Sequence, residues 1–288
     1  MPDSARRAAL RAARLAIVTG LVVGGLLASA ASAAAYVPEK ELDNATAAGQ
    51  RPARETKPVI KVPATRGFDV SYPQCDSAYP RNPAFGIVGV NGGKVFTVNP
   101  CLASEIAWGG GARAELYINT GNPGPVLSSF WPAGQATPRI CDASAPDTAD
   151  CAFDYGWNAA KHSFETAQAA YVQLGITTSP SATTWWLDVE TTNTWRTDAA
   201  LNTAALEGEV AYLRDVAGVT KLGFYSTTVQ WGAITGGTQL FATSPSWGAG
   251  APTEKVARQH CVATPGFTGG DLALVQYPFQ GFDANVRC

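Results

Sequence analysis

The residues of this chain best suited to chemistry are Asp188-Val189-Glu190, which close the run Thr184-Trp185-Trp186-Leu187. A bulky apolar run ending in two acids reads as a buried strand that turns polar at its end. Successive strand side chains point to opposite faces, so Asp188 and Glu190 share one face and Val189 takes the other. Neighbouring carboxyls repel, and burial disfavours their charged forms. One of the pair is therefore expected to keep its proton to higher pH. A proton donor beside an anionic partner is the equipment for cleaving a glycosidic bond. The plainer reading is a strand-end Asp that caps the next helix, with Glu190 in solvent.

Such a pair needs a frame. Strand-like runs recur at residues 67–71, 85–90, 115–119, 184–190 and 221–225, with weaker candidates near 246–248, 257–259 and 272–277. Helical patterns at 99–108, 158–174 and 198–217 lie between them, the last with Leu201, Leu206, Val210 and Leu213 on one stripe. Strands alternating with helices predict a mainly parallel sheet. At this length the leading fold is an α/β, TIM-like β/α barrel in a single domain, with a doubly wound open sheet as the alternative. Polar residues recur at the strand ends: Asp69 and Gln74, Tyr117 and Asn119, Asp188 and Glu190, Tyr225, and Gln276 with Tyr277. The carboxyl ends of barrel strands are where active sites form.

The flanking sequence sets the compartment. Residues 1–35 read as a secretory signal peptide: Arg6, Arg7, Arg11 and Arg14, an apolar stretch, then Ala31-Ser32-Ala33 as a cleavage site. The apolar stretch is short and Gly-rich for a membrane span, so no stable span is expected after cleavage. Whether export is Sec or twin-arginine is left open by Arg6-Arg7. Residues 36–65, with Pro38, Pro52, Pro58 and Pro63, read as a disordered linker, and residues 66–288 as the folded domain. Losing four Arg and one Asp with the signal moves the formal charge from −2 to −5, which disfavours nucleic acid as a partner. Six cysteines after a secretion signal predict disulfides, and neighbour pairing, Cys75–Cys101, Cys141–Cys151 and Cys261–Cys288, is the simplest of the fifteen arrangements. With no Cys-x-x-Cys and two histidines, no metal site is expected.

Four motifs, in order, resemble the family 25 glycoside hydrolases, the Chalaropsis-type lysozymes. They are Gly67-Phe68-Asp69-Val70-Ser71-Tyr72-Pro73-Gln74, Leu187-Asp188-Val189-Glu190, Gly223-Phe224-Tyr225-Ser226, and Gln276-Tyr277 with Gly281-Phe282-Asp283-Ala284-Asn285. The resemblance covers essentially all of residues 66–288. It implies a β/α barrel with fewer helices than strands, and no cofactor. It implies Glu190 as general acid and Asp188 as the group that stabilises positive charge or orients the substrate's acetamido group. Asp69 and Asp283 would complete an acidic floor. The partner implied is peptidoglycan or another cell-envelope glycan, met by a secreted or wall-associated monomer. The cysteines and the insertion at 125–157 depart from the family and mark a divergent branch of actinobacterial look.

Among eight tryptophans, Trp195 and Trp247 are the candidates for stacking on sugar, and Trp131 could roof the groove. Trp185 and Trp186 must point to opposite faces of their strand. Glu105, Glu165, Glu207 and Glu209 read as solvated helix positions. Two functions remain: a muramidase-like hydrolase, and a catalytically inactive barrel that binds cell-wall glycan.

Overall fold

The computed structural model describes residues 65–75 and 77–288. The expected signal peptide and nearly all of the linker lie outside these residues. Among the described residues the domain is a closed barrel of eight strands with six α-helices, fewer than the strands. In chain order the elements are β1 (Gly67–Val70), β2 (Gly86–Gly89), α1 (Leu102–Gly109), β3 (Glu115–Asn119), α2 (Gly124–Leu127) and α3 (Ala149–Gln173). They continue with β4 (Thr184–Asp188), α4 (Ala199–Ala211), β5 (Lys221–Ser226), α5 (Thr228–Thr235), β6 (Ser246–Gly248), α6 (Glu254–Ala263), β7 (Leu272–Phe279) and β8 (Phe282–Arg287). Strands β1 to β7 pair in parallel. β8 is antiparallel to both β7 and β1 and closes the ring.

The period of two sorts side chains between the barrel interior and the helix layer. On β4, Trp185 and Leu187 face the helices, where Trp185 packs on Phe164 of α3. Trp186 turns inward and packs with Ile87, Trp247 and Leu274. Gly223 on β5 makes room for it: a Cβ there would lie 2.3 Å from the Trp186 ring. Below this layer Trp186 Nε1 donates to Glu115 Oε2 at 2.8 Å, and Arg287 pairs with Glu115, so the buried acid has two donors.

Caps fix where the helices begin. Thr148, Thr227 and Thr253 accept from the third backbone N–H of α3, α5 and α6, and Asp198 accepts from Ala200 and Leu201 of α4. Gly110 ends α1 at φ 108, a left-handed conformation that suits glycine. Helices α3 and α4 cross without intervening side chains. A Cβ on Gly156 would lie 1.9 Å from the Ala205 carbonyl, and one on Gly208 the same distance from that of Phe153.

Several expectations are corrected. Residues 257–259 lie inside α6, whose Thr253 cap and Ala257 anchor override their local strand character. The β4 ladder ends at Asp188, although the alternation continues to Glu190. Helix α3 begins at Ala149, so the irregular part of the insertion is shorter than 125–157. Glu105 and Glu209 are buried, not solvated. Glu105 accepts from Asn99 Nδ2 at 2.7 Å and from the Tyr79 hydroxyl, which explains its place inside. Disulfides join Cys75 to Cys101, Cys141 to Cys151, and Cys261 to Cys288.

Candidate active site

The parallel strands all bring their carboxyl ends to one rim. Because β8 runs the other way, its first residues reach that same rim, with Asp283 opposite Asp69 in register. The inward positions at the rim are Asp69 on β1, Tyr117 and Asn119 on β3, Asp188 on β4 followed by Glu190, Tyr225 on β5, Trp247 on β6 and Gln276 on β7. Together with Asp283 and Gln74 they line one open cleft of about 330 Å³. Of the residues expected at the site, Tyr277, Trp195 and Trp131 are not there.

Tyr277 follows Gln276 directly on β7, so the alternation that brings Gln276 inward sends it outward. It is 2% exposed among Phe68, Ala284 and Val286, and its hydroxyl accepts from Arg66 Nε at 2.5 Å. Trp247 lies on the floor rather than standing as a platform. Its ring packs against Tyr117, Tyr225 and Trp186. Trp195 packs at the edge of the outer core and donates to the Glu190 carbonyl at 2.8 Å, and Trp131 stacks on Tyr155; neither lines this cleft.

Asp69 is the most closely held acid. Tyr225 donates its hydroxyl proton to Gln276 Oε1 at 2.7 Å, and Gln276 Nε2 donates to both Asp69 oxygens at 3.1 and 3.2 Å. From the other side Trp247 Nε1 donates to Asn285 Oδ1 at 2.8 Å, and Asn285 Nδ2 donates to Asp69 Oδ2 at 2.6 Å. Desolvation and the charge of Asp283 outweigh these donors and push the Asp69 pKa up to about 7.

Asp188 is 4% exposed. Asn119 Nδ2 donates to its Oδ2, while Oδ1 has no partner. Burial first, then the charges of Glu190 and Asp69, hold its pKa well above the usual carboxylate range. Glu190 is only partly buried. Burial raises its pKa, opposed by a hydrogen bond from Gln230, and Asp283 raises it further. Burial also raises Asp283. No ion pair with Arg or Lys engages any of these four acids among the described residues.

Three supporting residues are not evident from sequence reasoning. Asn285 falls within the closing motif, where nothing in the sequence gives it a role. Gln230 sits on α5, forty residues from Glu190, and also accepts from the Thr191 N–H at 2.6 Å. Asn91 clamps β3 by donating to the Asn119 carbonyl at 3.0 Å and accepting from its N–H at 3.1 Å. Only the position of Asn91 just past a strand end could have pointed to it.

This arrangement is a β/α barrel with four carboxyls of raised pKa gathered in one open rim cleft. No protein-family model and no curated protein sequence matches the chain. Among solved structures it is similar to the modular autolysin LytC from Streptococcus pneumoniae in complex with a synthetic peptidoglycan ligand, with TM-score 0.50 and 12% identity, over 77% of this chain and 46% of that one. It is also similar to a muramidase from Acremonium alcalophilum, with TM-score 0.49, 17% identity and coverage of 77% and 93%. A family GH25 lysozyme from Aspergillus fumigatus matches with TM-score 0.46, 14% identity and coverage of 78% and 93%. The likeness to the autolysin establishes a shared barrel fold, the one expected from the sequence motifs.

Proposed function

We propose that this chain is a secreted glycoside hydrolase that cleaves the glycan of peptidoglycan between N-acetylmuramic acid and N-acetylglucosamine. The observation that carries this reading is the convergence of Asp69, Asp188, Glu190 and Asp283 in one open cleft with raised pKa values. Three disulfides favour work outside the cytoplasm. The glycan substrate is supported by the sequence motifs and by the open, acidic form of the cleft.

Glu190 is the proton donor because it reaches the open cleft, whereas Asp188 is buried beneath it. Glu190 passes its proton to the glycosidic oxygen as the bond to the anomeric carbon breaks. Asp188, held by Asn119, faces the positive charge that develops there, or the acetamido N–H of the same sugar. Water then adds to the anomeric carbon and returns a proton to the acid set. Neighbouring acids of the cleft raise one another's pKa values, Glu190 on Asp188 and Asp283 on Asp69 and Glu190, so the rate follows apparent values of interacting groups and not those of one residue. Burial and Asp283 shift Glu190 upward, so the protonated donor persists to higher pH than an ordinary carboxyl would.

Digestion of purified, reduced peptidoglycan followed by mass spectrometry of the products tests this. New reducing ends on N-acetylmuramic acid are expected. New ends only on N-acetylglucosamine would give the enzyme a different bond, and binding without any new ends would make the barrel a glycan-binding module.

A further inference from the structure

The cleft continues beyond its carboxyls. Gly93, Thr192 and Asn193 line it and also line a second compartment of about 340 Å³. None of the family-like motifs contributes to that compartment. Its walls come from the turn after β2, the chain after β3 and the start of the insertion. The turn is fixed: the Gly92 N–H donates to Thr97 Oγ1 at 2.9 Å, and Thr97 Oγ1 donates to the Lys94 carbonyl at 2.6 Å.

Two features define the ligand chemistry. Lys94 is the single charged residue of this lining, and it forms no ion pair among the described residues. The neighbouring compartment is the reverse, with four carboxyls and neither Lys nor Arg. The opposite wall is apolar and open: Leu127 is 73% exposed and Phe130 55%. Such exposed apolar surface beside a cleft marks a place that something covers. The wall is also built in advance. Phe130 stacks on Phe96 at 4.5 Å with 12° between the rings, and Phe96 meets the Tyr155 ring edge at 5.3 Å. Phe96 holds φ 60, a left-handed conformation that bulky residues rarely adopt unless packing fixes it.

We propose that this second compartment binds the acidic peptide that an N-acetylmuramic acid carries on its lactyl group, beside the bond to be cleaved. Small aliphatic side chains of that peptide would lie on Leu127 and Phe130. Its amides would meet the hydroxyls of Ser128 and Thr194, and a carboxylate would meet Lys94. The inference rests on the hydrolase reading and adds direction to it. A glycan chain seats with its peptide toward Lys94, because the reverse orientation brings peptide carboxylates against the acids of the cleft.

The test compares two substrates: uncrosslinked glycan chains bearing their peptides, and the same chains stripped of peptides by an amidase. Wild type, Lys94→Ala and Phe130→Ala are assayed on both, with thermal melts to confirm folding. On peptide-bearing chains each variant is expected to lose about tenfold in kcat/KM, the scale of one charge-assisted contact for Lys94→Ala and of a lost apolar contact for Phe130→Ala. On stripped chains each stays within about twofold of wild type, and Lys94→Arg recovers most of the loss on peptide-bearing chains. Equal losses on both substrates would make the compartment a further sugar site and overturn the proposal, as would no loss on either. If wild type cleaves neither substrate, the hydrolase reading itself falls and takes this one with it. Calorimetric binding of a peptide-bearing disaccharide to Glu190→Gln, weakened by adding Lys94→Ala, draws the same distinction without turnover.

Discussion

At Asp69 two hydrogen-bond relays, from Tyr225 through Gln276 and from Trp247 through Asn285, end on one carboxyl whose pKa is still about 7. The unfolded chain ionises this group near 3.8. Between those values the folded state holds a proton that the unfolded state has released, so stability falls as pH rises through that window. Asp69→Asn cannot ionise and escapes this loss. Its melting temperature relative to wild type should climb between about pH 4 and pH 8, by about 2–4 °C for each kcal/mol recovered. Parallel melting curves across that range would contradict the shift. On the proposed reaction the same substitution should also lower activity, because Asp69 stands beside Asp188 in the acidic cleft. The acids were legible in the sequence because they stand at strand ends in a period of two. Tyr277 was misplaced by neglecting that same period, and Gln230 and Asn91 were hidden because their roles depend on which loops meet in space.

The elements were easiest to read where local pattern and tertiary need agree. β3 has the bounds its sequence predicts, and the stripe at 198–217 becomes α4 followed by a π-helical turn over Tyr212–Val216. Residues 257–259 failed because three residues of strand character cannot resist a capped helix that buries Ala257. β8 carried a weak strand signal, Asp283 and Asn285 being polar because they face the cleft and its relay. The α3–α4 crossing was not legible, since a Gly in a helix does not announce what it touches. Gly156→Ala or Gly208→Ala should force these helices apart and cost about 1–3 kcal/mol or more, against the modest gain in helix propensity. Gly232→Ala on α5 meets nothing within 4 Å and should stabilise by about 0.5–1 kcal/mol. Urea melts of the three variants check both signs, and a stabilising Gly156→Ala would refute the close crossing.

At the scale of the molecule, each disulfide ties an irregular segment to a regular one. Cys75–Cys101 anchors the cleft-lining turn Tyr72–Gln74 near α1, Cys141–Cys151 fastens the insertion to α3, and Cys261–Cys288 binds α6 to the chain end after β8. Loops of these lengths are each worth about 3 kcal/mol through the unfolded chain. Reduction should therefore lower the melting temperature strongly, and an unchanged melt in reductant would contradict the three cross-links. The barrel itself was legible from alternating strands and helices. Its closure by an antiparallel eighth strand was not, although that reversal is what delivers Asp283 to the rim.

The central claim is that Glu190 donates the proton that breaks a peptidoglycan glycosidic bond. Reducing-end release from purified peptidoglycan by wild type and by Glu190→Gln tests it most directly, with matched melting curves to show that both are folded. Steady release by wild type is expected, with a loss of about 10²–10⁴-fold in the variant and glycan binding retained. Equal release by the two proteins would contradict it.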